Sequence, residues 1–277
     1  MTILESQYKT EALTSHRTKD GFYILFADQD SQIAELCISE MNEARAHVEA
    51  FFDYRPNVKL FIFMYPDLSA MNKAFGRELP DEHCCFVPIK GRKSLITFVT
   101  PHSNPHSLKV ILVHEYCHIV FGCLTGNRET GRAEQRIPMW LDEGVALFVD
   151  RKFRENFPEI ERKRLELIRE GTDGWWPNLE DLYTYFNRLD GEIEFGRRGM
   201  LAYAYSYFCV KELIRRFNEQ TFVQFAVLLA SCNDIPSLFH RTFGLSVAQF
   251  NSEMKNSLVG NEHKYDFDAA EIPGLTR

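Results

Sequence analysis

Two stretches of this chain are apolar enough to be buried helices, yet each is interrupted by a narrow set of histidine or acidic side chains. The first runs from Leu108 to Phe121 and holds His114, Glu115 and His118. The second runs from Pro138 to Val149 and holds Asp142 and Glu143. On a helical wheel, His114, Glu115 and His118 fall within roughly 100° of arc. A buried helix with one polar arc must satisfy that arc, by hydrogen bonds or by a bound ion.

The first interruption, His114-Glu115-Tyr116-Cys117-His118, has the form H-E-x-x-H. Residues four apart lie on one helix face, so both imidazoles can reach one ion. A catalytic zinc takes three ligands from protein and leaves a position for water. Glu143 is the candidate for the third ligand. A bare H-E-x-x-H arises by chance about once in forty chains of this kind; the apolar flanks and the second segment make it more specific. The competing reading is a core helix with hydrogen-bonded histidines, and for Glu143 alone a buried salt bridge. Gly144 costs its helix roughly 1 kcal/mol relative to Ala. Close approach of a neighbouring backbone is the expected reason for it.

The pair H-E-x-x-H and Trp140-Leu141-Asp142-Glu143-Gly144-Val145-Ala146 (W-L-x-E-G-x-A) resembles the gluzincin metallopeptidases, in particular the peptidase MA-like domain. The resemblance covers roughly residues 20 to 258. It takes in Tyr203-Ala204-Tyr205-Ser206-Tyr207, similar to that family's tyrosine-containing helix. It also takes in Phe243-Gly244-Leu245-Ser246-Val247 with Phe250, similar to its closing segment. Thermolysin-like members often place an acidic residue four positions after the glutamate ligand, where it holds the first histidine. Here that position is Leu147, with Asp142 and Asp150 nearby at other spacings, so a missing histidine partner is expected. The G-x-M-E-N signature of the aminopeptidase N family is also missing, which disfavours capture of a substrate α-amine.

The resemblance implies an α+β, gluzincin-like fold. Residues 1–103 are expected to form an N-terminal mixed sheet with helices, and residues 104–277 a mainly helical half, with the active-site cleft between them. It implies a Zn2+ held by His114, His118 and Glu143, with Glu115 as general base. Tyr203 is the candidate oxyanion donor, although Tyr207 shares its helix face. It also implies that strand 94–100 is a sheet edge able to bind an extended peptide by strand addition. Two rival readings stay open: a peptidase-like fold kept as a zinc-binding or inactive interaction module, and a zinc amidohydrolase acting on a non-peptide amide.

Local patterns supply the frame. Residues 22–27 and 58–64 read as buried strands, with a helix over 30–52 between them. A short helix over 67–75 is capped by Asp67 and stopped by Gly76. Residues 84–100 read as a hairpin. Asn104 and Pro105 suit the start of the H-E-x-x-H helix, and Gly122 or Gly126 its end. Residues 125–137 form a polar connection. Helices are expected over 155–170, 178–189 and 197–217, with two or three more to residue 258. His83, His102, His106 and His240 read as surface or core residues.

Composition excludes several classes. A net charge of −7 and the lack of a basic cluster with interleaved aromatics disfavour nucleic acid. No uninterrupted apolar run approaches the ~18 residues needed to span a membrane, so no membrane partner is expected. The polar N-terminus does not resemble a secretory signal. Seven cysteines without regular spacing fit reduced thiols in a cytoplasmic protein. The expected partner is a peptide or protein substrate; the oligomeric state is left open.

Overall fold

The computed structural model describes residues 10–76, 78, 85–89, 93–101, 104, 107–126, 137–171, 176–179, 182 and 197–260. The fold is α+β: a small mixed sheet followed by helices. The strands are β1 (Ser15–Lys19), β2 (Phe22–Phe26), β3 (Lys59–Tyr65), β4 (Cys85–Ile89) and β5 (Lys93–Val99). They are ordered β1-β2-β3-β5-β4. β2, β3 and β5 are mutually parallel, while β1 and β4 are antiparallel to their neighbours.

Two features of this sheet differ from expectation. β1 was not foreseen, because Ser-His-Arg-Thr-Lys carries no apolar alternation and four of its five residues are exposed. Its signal was the turn: Asp20 and Gly21 both have positive φ, +51° and +88°, as a two-residue hairpin demands. The second difference is a correction. Strand 94–100, expected at the edge, is interior, lying between β3 and β4. Its residues Ser94, Leu95, Ile96, Thr97 and Phe98 are all buried, and a run of that kind without alternation belongs inside a sheet. The edges among the described strands are β1 and β4, and Pro88 of β4, which lacks an amide proton, is tolerated at an edge.

The sheet's two faces pack differently. Leu60, Ile62 and Met64 of β3 face the main core, while Phe61, Phe63 and Tyr65 face a smaller cluster with Leu25, Leu95 and Met71. Met71 belongs to α2 (Leu68–Phe75), whose Asp67 cap accepts the Ala70 amide at 2.8 Å and whose stop, Gly76, has φ +65°. α1 (Ser31–Phe52) lies on the main-core face and packs against α3 (Ser107–Leu124), the helix carrying H-E-x-x-H. The carbonyl of Asn104 accepts the Ser107 amide at 3.0 Å; Pro105 lies outside the described residues. Gly126, with φ +70°, follows the end of α3, and Gly122 stays inside the helix.

The rest of the described chain is helical: α4 (Met139–Asp150), α5 (Phe157–Glu170), α6 (Arg197–Leu229), α7 (Ile235–Phe243) and α8 (Val247–Gly260). α6 breaks at Asn218, where φ and ψ are 66° and 166°, so its first part ends at the expected position 217. The Asn218 side chain then caps the second part by accepting the Thr221 amide at 2.9 Å. The helix expected over 178–189 falls almost wholly outside the described residues, as do the connection after Gly126 and the flank of the expected cleft. One main core runs from Phe22 in the sheet to Leu258 in α8, so residues on both sides of position 104 share it. Among the described residues, α3 is the one helix long and apolar enough to cross a membrane, and it is packed inside this core.

Candidate metal centre

α3 and α4 lie side by side with their polar arcs facing one another. His114 pairs with Asp150 and His118 with Asp142, so the later residue of one helix meets the earlier residue of the other. The two helices are therefore antiparallel. Between these pairs sits Glu143. Nε2 of His114 is 3.2 Å from Nε2 of His118, and Oε2 of Glu143 is 3.4 Å and 3.6 Å from them. Three tetrahedral ligands at about 2.0–2.1 Å from one zinc stand about 3.3–3.4 Å apart, and this triangle has those dimensions. Oε2 of Glu143 is also buried without accepting a hydrogen bond from any described residue. A buried carboxylate oxygen left so is costly unless a cation meets it.

Both imidazoles are oriented from behind. Nδ1 of His114 is 3.0 Å from Oδ2 of Asp150, and Nδ1 of His118 is 2.9 Å from Oδ1 of Asp142. A carboxylate on one ring nitrogen turns the other toward the metal and raises its basicity. This corrects the expectation of a missing histidine partner. Asp150 is seven positions after Glu143, two helical turns on and about 20° away on the wheel, so it lies on the same face as residue 147, one turn further along. Periodicity beyond the first turn was the signal that could have found it. Leu147 is a buried core residue.

The charge balance favours a cation. Glu115, Asp142, Glu143 and Asp150 gather around two imidazoles. Burial alone would lower both histidine pKa values. The Asp150 hydrogen bond and the Glu143 carboxylate beside the ring outweigh it and push His114 up to about 10. The charges of Asp142 and Glu143 push His118 up to about 9. The pocket thus stabilises positive charge, whether carried by protons or by a divalent ion. Asp150 shows the converse: burial would raise its pKa, but the His114 hydrogen bond and the Arg154 charge hold it below the usual carboxylate value. Burial raises the Glu115 pKa against the pull of the two imidazoles.

Gly144 explains how a third helix reaches the site. A Cβ at that position would stand 2.7 Å from Val210 Cγ2 and 2.9 Å from the Ser206 carbonyl carbon, with the carbonyl oxygen nearer still. The missing side chain lets the α4 and α6 backbones touch. Tyr203 lies one turn before Ser206 on α6. Burial, and then the charges of Glu143, Glu115 and Asp142, push its phenol well above the ordinary value. Tyr205 instead donates to Asn251 Oδ1 at 2.9 Å, and Tyr207 donates to Glu161 Oε1 at 2.7 Å. Of the three tyrosines, Tyr203 is the one whose surroundings include the histidine-glutamate cluster.

A cavity of about 350 Å³, lined by Arg45, Arg55 and Tyr116 among others, lies away from this chemistry. Tyr116 is 200° from both histidines on the α3 wheel. His83, His102 and His106 lie outside the described residues. His240 sits exposed in the last turn of α7. Neither a protein-family model nor a curated protein matches this chain.

Proposed function

We propose that this chain is a zinc-dependent metallopeptidase of the gluzincin type. The observation that carries the reading is the His114–His118–Glu143 triangle, with a carboxylate behind each imidazole and an unbonded buried oxygen on Glu143. His114, His118 and Glu143 would hold the ion. When bound, zinc lowers the pKa of water and polarises a carbonyl oxygen. Glu115, next to both imidazoles and with its pKa raised by burial, is suited to take a proton from the attacking water and hand it to the departing amine nitrogen. Tyr203 would donate its hydroxyl to the oxygen that becomes negative at the tetrahedral stage.

The interaction-module alternative drew its support from the missing histidine partner, and Asp142 and Asp150 remove that support. A general base is of no use to a purely structural zinc site, which further favours an enzyme. β4, an edge among the described strands, replaces β5 as the strand that would accept an extended peptide. Cys37, Cys117, Cys209 and Cys232 form no disulfide, and a reducing, cytoplasmic setting is part of this proposal.

Two measurements on purified protein test the reading. Metal analysis should find about one zinc per chain, and digestion of a broad peptide library should yield cleavage products. Glu115→Gln should keep the zinc and lose nearly all hydrolysis, because an amide cannot accept the proton. Equal turnover by this variant would reject Glu115 as the base, and a zinc-loaded protein that cleaves no library peptide would reject the peptidase reading.

A further inference from the structure

The two imidazoles are held by carboxylates of unlike build. Asp142, behind His118, has a side chain 24% exposed. Asp150, behind His114, is wholly buried at the last position of α4. A carboxylate is disfavoured there, because unpaired backbone carbonyls leave the C-terminal end of a helix negative. Arg154 offsets this from just beyond the short 3₁₀ turn Arg151–Phe153. Its Nε donates to Oδ1 of Asp150 and its Nη2 to Oδ2, both at 2.6 Å. Oδ2 also takes Nδ1 of His114. A planar guanidinium that grips both oxygens stops the carboxylate from rotating, which a single point charge would not do.

We propose that Arg154 is a positioning residue of the metal centre: by clamping both oxygens of Asp150 it sets the plane of that carboxylate, and through it the ring of His114. The proposal rests on the metal-centre reading above. Arg154 contacts no ligand itself, so its whole effect passes through Asp150. An ordinary i,i+4 surface pair would do nothing of the kind, but here the carboxylate is fully buried and already committed to a histidine whose Nε2 faces His118 and Glu143. The two halves of the site are then unequal. The His114 side depends on a guanidinium outside the metal-binding helices, while on the His118 side the carboxylate is the partly exposed Asp142.

The test is zinc affinity of the full chain, measured by competition with a fluorescent chelator, together with the visible spectrum of the Co2+-loaded protein. Arg154→Met should weaken zinc binding about 10–100-fold, and Asp150→Asn by a similar factor. The double variant should bind no more weakly than Asp150→Asn alone, because Arg154 acts only through that carboxylate. The cobalt spectrum of Arg154→Met should change band shape as His114 tilts. Arg154→Lys should recover only part of the affinity. Wild-type affinity in Arg154→Met, or a double variant whose loss is the product of the single losses, would overturn the proposal while leaving the metal centre intact. If Arg154→Met does not fold, Arg154→Lys decides: unchanged affinity overturns the clamp, and a loss supports it. A wild-type protein that binds no zinc would overturn the metal-centre reading, and this proposal with it.

Discussion

Replacing Gly144 with alanine sets two opposed effects against each other, and the structure says which is larger. Alanine gains about 1 kcal/mol over glycine in a helix interior. Against this, the new methyl would meet Val210 Cγ2 at 2.7 Å and the Ser206 carbonyl carbon at 2.9 Å, where real contacts are ordinarily 3.4 Å or more. The shortfall of about half an ångström to one ångström falls on the Ser206 backbone as well as on the stiff Val210 side chain, and backbone cannot turn aside as a flexible side chain can. Overpacking of this kind costs about 1–3 kcal/mol and occasionally more. Here it sits at the high end, so a net loss of about 1–2 kcal/mol is expected. At roughly 2–4 °C per kcal/mol for a chain of this size, the melting temperature should fall by about 2–8 °C. The relief is movement of α6 away from α4. That motion carries Tyr203 away from the cluster but leaves the ligands, all on α3 and α4, in place. A misplacement near 1 Å can cost on the order of 10²-fold in rate. Zinc content should therefore stay near that of wild type while kcat on a library peptide drops about 100-fold. A Gly144→Ala protein with raised melting temperature and full turnover would show that helix propensity alone governs this position, and would refute the close crossing.

Two further outcomes follow from the same geometry. Tyr203→Phe should lower kcat on the order of 10²–10³-fold, with little change in KM because the hydrogen bond forms only in the transition state. Tyr207→Phe strips a partner from buried Glu161 and should cost about 1–3 kcal/mol of stability with kcat kept; the reverse pattern, read by melting and steady-state kinetics, would place the donor on the wrong turn of α6. Acetylating the N-terminus of a cleaved peptide should leave cleavage largely intact, since the sequence holds no amine-capture signature, and loss of all cleavage would identify an aminopeptidase.

Much of the frame was legible because periodicity reports burial one element at a time. The Asp67 cap and Gly76 stop of α2, the two buried strands β2 and β3, and the end of the first part of α6 at residue 217 are local events, and the structure has them where the pattern put them. The order of strands is not local. Nothing inside Ser94-Leu95-Ile96-Thr97-Phe98 says which strand lies beyond it, and only the assembled sheet shows it between β3 and β4. β1 was illegible for a different reason. A strand exposed at four of its five positions has no core face to betray it, and only its Asp20-Gly21 turn carried a signal.

The candidate site divides along the same line. His114, Glu115 and His118 share one helix arc, so their convergence follows from spacing. Asp142 and Asp150 become histidine partners only through the antiparallel pairing of α3 with α4, and a wheel drawn for one helix cannot supply that register. Arg154 is a step further removed, since it reaches Asp150 around the end of α4. Gly144 is the exception that links the two levels. A glycine inside a buried, otherwise strongly apolar helix is unfavourable by itself, so its presence beside a candidate ligand marked a backbone contact before any partner was known. The partner proved to be Ser206, one turn from Tyr203. That crossing sets the depth at which α6 meets the cluster, which makes the glycine, rather than the tyrosine pattern, the residue through which the sequence reported the third helix of the site.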